Sequence, residues 1–147
     1  MITDKLLRVS TDQDLGSASD ASVVSTDTID LSQARDIGEG HDLYMHFAVT
    51  EAFAGGTSTE FQVIISDAAN LGTPQVVGSS GAIATASLTL GKRIAVRINP
   101  LIASLGKRYL GAQYTVVGTN TAGMVTADIV ETIQDGQKFY KSGFSVL

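Results

Sequence analysis

The clearest pattern along the chain is an alternation of apolar and polar positions over residues 43–50. The apolar positions of this run share one face of an extended strand: Leu43, Met45, Phe47 and Val49. A period of two residues is typical of a strand with one buried face, so the run predicts a half-buried strand. The same alternation places His46 on the outward face of that strand, beside Tyr44.

Apolar and β-branched runs recur along the rest of the chain and predict seven further strands: residues 23–30, 61–66, 75–77, 87–90, 93–98, 108–117 and 124–133. Glycines separate several runs, with breaks predicted at Gly55-Gly56 and across residues 78–81. No stretch of ten residues keeps a helical period, and residues 101–105 have room for one helical turn only. The pattern therefore predicts an all-β fold: a two-sheet antiparallel sandwich of jelly-roll type, with about eight strands and little or no helix.

The length of 147 residues and the apolar fraction of 44% suit a single domain with its own core, residues 1–147. Residues 11–22 are polar and turn-rich, which predicts a flexible loop within that domain. The chain has no cysteine, so it forms no disulfide and no thiolate metal site. No apolar run reaches membrane-spanning length and the first ten residues lack a signal-peptide core, so we expect a soluble chain made in a cytoplasm, with no membrane partner.

Charge is unevenly distributed along the chain, whose formal net charge is −5. Residues 1–60 hold 11 of the 15 acidic residues and three bases, whereas residues 61–147 hold 4 acids and 7 bases. If this asymmetry persists in space, it would orient head-to-tail contacts between copies, or docking on a charged partner. Nucleic acid is not an expected partner, because binding of phosphates needs an excess of clustered lysine and arginine.

One short motif occurs twice, 15 residues apart, as Leu90-Gly91-Lys92-Arg93 and Leu105-Gly106-Lys107-Arg108. Each copy places a glycine and two bases at the start of a predicted strand. One interpretation is a pair of turns whose charges face solvent. The other is that Lys92, Arg93, Lys107 and Arg108 contribute to a contact with an acidic partner.

A search for catalytic and metal-binding patterns favours no enzyme and no cofactor. His41 and His46 are five residues apart, and an odd separation along a strand places them on opposite faces, so they could share one metal ion only if the chain bends between them. The serines of residues 78–81 lack the spacing of a nucleophile elbow. The acidic run at residues 12–16 lacks the later ligands of a calcium loop. We therefore predict a protein that acts through its surface.

Ordered segments of the chain carry a resemblance that spans nearly its whole length. They are MITDKLLRVS at the start, residues 34–40 leading into 42–44, then residues 52–57, 66–72, 105–111, 133–136 and 139–144. Together they resemble the jelly-roll capsid cement (decoration) proteins of short-tailed bacteriophages. The resemblance implies a non-enzymatic structural protein of the virion, and the family brings no catalytic motif to any residue here.

The resemblance also implies partners and a location. Cement proteins of this kind bind the outer surface of a phage capsid and hold together neighbouring major capsid protein subunits of the HK97-like fold. They act as homo-oligomers, so a dimer or trimer is expected here, on a virion assembled in a host cytoplasm. The alternative function that we consider is a receptor- or glycan-binding β-sandwich module of a virion.

Three regions outside the basic turns are candidates for the contact with a partner. The tail, residues 138–147, either closes the core of its own domain or lies across a partner, with these candidate contact residues: Phe139, Tyr140, Lys141 and Phe144. Residues 2–9 at the start mix apolar and charged positions, and self-packing and partner contact stay equally open there. The charged side chains of Arg35, Asp36 and Glu39 form either intersubunit ion pairs or a solvated turn.

Overall fold

The computed structural model describes residues 3–32 and 42–133. Nine strands occur in these residues: β1 (Arg8–Asp14), β2 (Ser22–Val24), β3 (Ile29–Asp30), β4 (Leu43–Gly55), β5 (Ser58–Ser66), β6 (Gln75–Ala84), β7 (Arg93–Ile98), β8 (Tyr109–Val117) and β9 (Asn120–Val130). Three short 3-10 turns accompany them: Lys5–Leu7, Thr85–Ser87 and Pro100–Leu105. No α-helix is present over the described ranges, and the turn at Pro100–Leu105 is the single helical turn that the sequence predicts.

The strands form two antiparallel sheets that pack face to face. The first sheet has the order β1-β9-β4-β7, and the second has the order β2-β8-β5-β6, with β3 also pairing with β8. Both β2 and β3 pair with β8, so together they occupy one position in the second sheet. The two sheets then have the eight strand positions of a jelly roll. The predicted fold class, a two-sheet antiparallel sandwich, is confirmed.

The inner faces of the two sheets meet in an aromatic cluster. Phe47 of the first sheet lies 5.2 Å from Phe61 and 5.9 Å from Tyr114, measured between ring centroids, and both partners belong to the second sheet. Phe53, near the end of β4, lies 6.3 Å from Phe61. The rings meet at steep angles, which is the favoured geometry for aromatic pairs. Phe47, Phe61 and Tyr114 are completely buried, so this cluster is the centre of the core.

A buried hydrogen-bond chain explains why β1 forms from polar residues. The Tyr114 hydroxyl donates to Ser10 Oγ over 2.7 Å, and Ser10 Oγ donates to Gln13 Oε1 over 2.7 Å. Gln13 Nε2 in turn donates to the Val24 carbonyl over 2.8 Å. Because these polar side chains have partners inside the protein, they can be buried in a strand. The predicted loop over residues 11–22 is therefore wrong at residues 11–14, which belong to β1, and at Ser22, which begins β2.

Three further predictions differ from the structure. The predicted strand over residues 23–30 is divided into β2 and β3, with residues 25–28 between them. Residues 87–90 are not a strand, because Leu88 reaches the core from the end of the Thr85–Ser87 turn, where its N–H donates to the Thr85 carbonyl. Residues 78–81 do not break the chain but continue β6 to Ala84. The strand accommodates its glycines through two register shifts against β5, and Ser80 Oγ accepts the N–H of Phe61 at one of them.

The loop between β5 and β6 covers the outer face of the second sheet. Leu71 is buried there, and a Cβ added to Gly111 of β8 would lie 2.4 Å from Leu71 Cδ1. Gly111 is paired with Ile64 of β5, which is also completely buried. Ser66 fixes the loop by donating from Oγ to the Gly72 carbonyl over 2.5 Å. A small second cluster therefore lies outside the main core.

The sandwich is closed along both of its long sides. On one side, the connection between β2 and β3 follows β1, and the Asp27 N–H donates to the Val9 carbonyl over 2.9 Å. On the other side, β6 approaches β7 at Gly78, where an added Cβ would lie 2.9 Å from Val96 Cγ1 and 3.2 Å from the Arg97 carbonyl oxygen. A larger residue at position 78 would require Val96 and Arg97 to shift, so the glycine favours this approach of the two sheets.

Candidate interaction surface

The outer face of the first sheet carries a row of polar residues across its strands. Arg8 of β1 is paired with Asp128 of β9, which is paired with His46 of β4, and His46 is paired with Ala95 of β7. Arg8 Nε donates to Asp128 Oδ1 over 2.6 Å. His46 points away from the core, as the alternation predicts, but it is 2% exposed and therefore buried. The alternation therefore predicts the face on which His46 lies but not its burial on that face.

Sequence reasoning did not find the pair of Arg8 and Asp128. The sequence does contain a signal for a charged partner at this strand, because Asp128 is the one acidic residue inside the apolar run 124–130. A carboxylate at such a position needs a cation or hydrogen-bond donors in the fold, since burial of an isolated charge is costly. The guanidinium of Arg8, brought there by the pairing of β1 with β9, meets this need.

The second basic turn is bound within the chain. Arg108 donates from Nε and Nη2 to the two carboxylate oxygens of Asp30, over 3.0 and 2.8 Å, and its guanidinium carbon lies 5.1 Å from the centre of the Tyr109 ring. Lys107 forms an ion pair with Asp67 of the β5–β6 loop. These hydrogen bonds hold the pKa of Asp30 well below its usual range, with Arg108 as the largest cause. Lys107 and Arg108 thus connect β8 with β3 and with the β5–β6 loop.

The first basic turn is exposed. Leu90 is 70% exposed, and Lys92 and Arg93 are also exposed at the start of β7. The turn is held by its backbone, because the Gly91 N–H donates to the Val49 carbonyl and the Val49 N–H donates to the Lys92 carbonyl, each over 2.9 Å.

The two basic turns lie at opposite ends of the sandwich. Arg93 begins β7, opposite Ala48 of β4, whereas the other turn leads into Tyr109, which is paired with Ser66 at the end of β5. The strand β7 ends near that second turn, since residues 99–108 connect it to β8. The four predicted contact bases therefore do not form one patch. Whether Lys92 and Arg93 contact a partner stays a prediction.

An acidic flank lies on the opposite edge of the same sheet. Asp12 and Asp14 of β1 are exposed, and Asp20 is exposed in the following loop. Asp12 Oδ1 accepts from Thr126 Oγ1, Asp14 Oδ1 accepts from the Gly16 N–H, and Asp20 Oδ1 accepts from the Gly118 N–H. The charge asymmetry along the chain therefore becomes an asymmetry in space within the first sheet.

An open depression of about 420 Å³ lies at the other end of this sheet, lined by Asp42, Tyr44, Glu131, Thr132 and Ile133. The depression contains two carboxylates, Asp42 and Glu131. Asp42 Oδ1 accepts a hydrogen bond from Arg97 Nη2 of β7 over 2.5 Å. Among the described side chains, no group of three or more His, Asp or Glu is placed to hold a metal ion. Nor does that part of the chain contain a helix long and apolar enough to cross a bilayer.

Several predicted contact residues lie outside the described ranges: Arg35, Asp36, Glu39, Phe139, Tyr140, Lys141 and Phe144. The same holds for His41 and for the tail, residues 138–147. Their predicted contacts with a partner stay predictions.

Comparison with known proteins identifies one family. A search of curated proteins finds no match to the chain. The family model described as Bbp16 matches residues 14–129, which is well over half of the chain and includes β2 to β8 and most of β9. The chain therefore belongs to the Bbp16 family.

Proposed function

We propose that the chain is a structural protein of a phage virion that binds the outer surface of the capsid and cements neighbouring major capsid protein subunits. The proposal rests on the sequence resemblance to capsid cement proteins. The observation that supports it is the strand order of the two sheets, because a jelly roll is the fold that the resemblance implies. The proposed partners are a major capsid protein of the HK97-like fold and other copies of this chain.

The physical basis of such a role is multivalency. A shell presents many identical sites, so a protein that bridges two subunits gains a high effective concentration at its second contact. A protein that binds only the assembled shell stabilises that state by mass action, as a ligand stabilises a fold. Contacts within the chain close both long sides of the sandwich, which suits a domain that bridges two subunits.

The test uses empty shells of the phage from which the chain comes, prepared without this protein. The purified full-length chain is added, and binding is measured by co-sedimentation with the shells. We expect saturable binding, and decorated shells that break down at a higher temperature than bare shells by light scattering. Absence of binding, together with equal breakdown temperatures, would refute the proposal. Binding to an immobilised glycan array without affinity for shells would instead favour a receptor- or glycan-binding module.

The predicted contact of the tail is tested in the same assay. The double variant Phe139→Ala/Phe144→Ala should bind shells at least tenfold more weakly if the tail lies across the capsid protein. Leu105→Ala, which removes a half-exposed apolar side chain at a different site, is the matched control and should bind as the parent chain does. Equal binding by the parent and the double variant would show that the contact lies elsewhere.

A further inference from the structure

The two edge strands of the first sheet are β1, which carries acids, and β7, which has bases at its start. Their charged residues lie at the same level along the strand direction. Arg93 of β7 is paired with Ala48 of β4, and Ala48 is paired with Thr126 of β9. Thr126 Oγ1 accepts the Asp12 N–H over 3.0 Å and donates to Asp12 Oδ1 over 3.2 Å. One ladder row therefore connects Arg93 to Asp12, across three strand spacings or about 14 Å.

The neighbouring row repeats this arrangement. Lys92 is bonded through its carbonyl to the Val49 N–H, Val49 is paired with Val125, and Val125 is paired with Gln13 of β1. Asp14 follows Gln13 and is paired with Met124. Two consecutive bases on one edge thus lie level with the acids of the other edge. Glu51 is exposed on the central strand β4 and is paired with Met124. It lies two residues past Val49, whose N–H is bonded to the Lys92 carbonyl.

We propose that these two edges are the complementary halves of a head-to-tail interface between copies of this chain. In this interface, Lys92 and Arg93 of one copy face Asp12 and Asp14 of the next, with the exposed Leu90 beside them. Because opposite charges lie level, a copy placed beside another needs no shift along the strand direction to bring them together. The inference deepens the proposed function, and it rests on that function for its setting on a shell.

Side chains, rather than backbone, carry this contact. The outer edge of β1 is occupied by the chain's own residues, since the Asp27 N–H donates to the Val9 carbonyl over 2.9 Å. A strand of a neighbour therefore cannot pair along the whole of this edge by regular backbone hydrogen bonding. Charges that meet through side chains give an association that weakens with salt.

The symmetry of the assembly follows from the use of two different surfaces. A head-to-tail contact is heterologous, so copies repeated around an axis close into a ring, and otherwise they form an open chain. A two-fold dimer would instead use one surface twice. This difference makes the proposal testable with pairs of variants.

The experiment neutralises each edge separately in the full-length chain. One variant carries Lys92→Gln and Arg93→Gln. The other carries Asp12→Asn and Asp14→Asn, because asparagine keeps a side-chain oxygen for the hydroxyl of Thr126 and for the N–H group of Gly16. Lys5→Gln, which removes an exposed base outside both edges, is the control. Thermal melts establish that every variant folds, and sedimentation velocity measures association at 50 mM and 500 mM salt.

We expect the parent chain and the control to associate with rising concentration at low salt, and to dissociate at high salt. Each neutralised variant should associate roughly tenfold more weakly, since two exposed charge pairs are lost. An equimolar mixture of the two variants should form one-to-one pairs and nothing larger, because each variant keeps one intact edge. A parent chain that stays monomeric at low salt, variants that associate like the parent, or a mixture without pairs would each overturn the proposal.

Shell binding separates this inference from the proposed function. A chain that associates in this way but does not bind shells would refute only the capsid role. Shell binding by a chain that stays monomeric would refute only the interface between copies. If the basic-edge variant lost shell binding while the parent stayed monomeric, the basic edge would face an acidic surface of the capsid protein, and the proposed interface would again be wrong.

Discussion

The Nε atom of Arg8 lies 2.6 Å from Oδ1 of Asp128, across the ladder between β1 and β9. The Asp128 side chain is 5% exposed, whereas the Arg8 side chain is 31% exposed. The pair is therefore asymmetric: the carboxylate depends on a cation that itself reaches solvent. Removal of the cation leaves a buried charge without its partner, which is the costly way to break an ion pair.

We predict that Arg8→Ala lowers the free energy of unfolding by about 2–3 kcal/mol, below the range for fully buried pairs because Arg8 is partly exposed. Urea unfolding measures this change, and a double-mutant cycle with Asp128→Asn isolates the coupling between the two groups. Arg97→Ala is the control, since its ion pair with Asp42 is about half exposed and its loss should cost less than about 1 kcal/mol. Equal losses in the two arginine variants would contradict the assignment.

A second prediction concerns Leu71, whose φ of 56° lies in the left-handed region although its side chain is buried. Leu71→Ala should cost about 2–4 kcal/mol, because it leaves a cavity over Ile64 and Gly111. Glycine is normally the worse replacement by about 0.5–1 kcal/mol, but here it also removes the backbone cost of a side chain at positive φ. Leu71→Gly should therefore be at least as stable as Leu71→Ala in urea unfolding. A glycine variant that is clearly the weaker of the two would refute this account.

The third prediction follows from the burial of Tyr114. Burial raises the pKa of Tyr114 far above its usual value, despite the hydrogen bond to Ser10. Because the pKa is higher in the folded state, Tyr114 makes its full contribution to the free energy of unfolding below its unfolded-state pKa, near pH 10. That contribution falls as the pH rises further. The slope attributable to this residue is about 1.4 kcal/mol per pH unit.

Tyr114→Phe should remove that alkaline slope and cost about 1 kcal/mol at neutral pH, because the hydroxyl no longer donates to Ser10. Urea unfolding of the two proteins between pH 8 and about 11 makes the comparison. Equal slopes in the parent and the variant would show that the hydroxyl ionises in the folded state.

The fourth prediction concerns acid stability. The pKa of Asp30 is held well below its usual range, first by hydrogen bonds from Arg108 and then by those from Ser32. A lowered folded-state pKa contributes stability above the unfolded value, near pH 4, and this contribution is lost as the pH falls below it. The Arg108→Gln variant should therefore be less stable than the parent at pH 7, and the difference should shrink as the pH falls from about 4 toward 2.

Thermal melts at a series of pH values test this expectation. Lys92→Gln removes the same charge from an exposed turn and is the matched control, which should keep the acid dependence of the parent chain. A gap between the parent and Arg108→Gln that stays constant down to pH 2 would contradict the assignment.

The sequence predicts the parts of this fold in which apolar spacing alone decides the structure. The strand over residues 43–50 is confirmed, because its alternate apolar residues Met45, Phe47 and Val49 are buried in the core, and the run at residues 93–98 is confirmed with strictly alternating burial. The sequence does not predict β1, since its polar residues are buried only through partners such as Tyr114, which is 104 residues from Ser10. Local patterns carry no information on such distant bonds.

The same limit applies to the candidate surface. The two Gly-Lys-Arg turns are equivalent in sequence, yet Asp30 and Asp67 bind one of them and leave the other exposed. The difference arises from strand order, which brings β3 beside β8. The burial of His46 is likewise a property of the assembled sheet, because alternation assigns a residue to a face without showing what covers that face.

The approach of the two sheets at Gly78 has a consequence for recognition. On the opposite side, the β2–β3 connection is hydrogen-bonded to β1. Opening either long side of the sandwich would therefore break that hydrogen bond or the packing of β6 against β7. The charged edges are thus presented by a framework that is already ordered before any encounter. Association then loses little backbone conformational entropy in the described part of the chain, so less of the energy of the contact is offset by the cost of ordering.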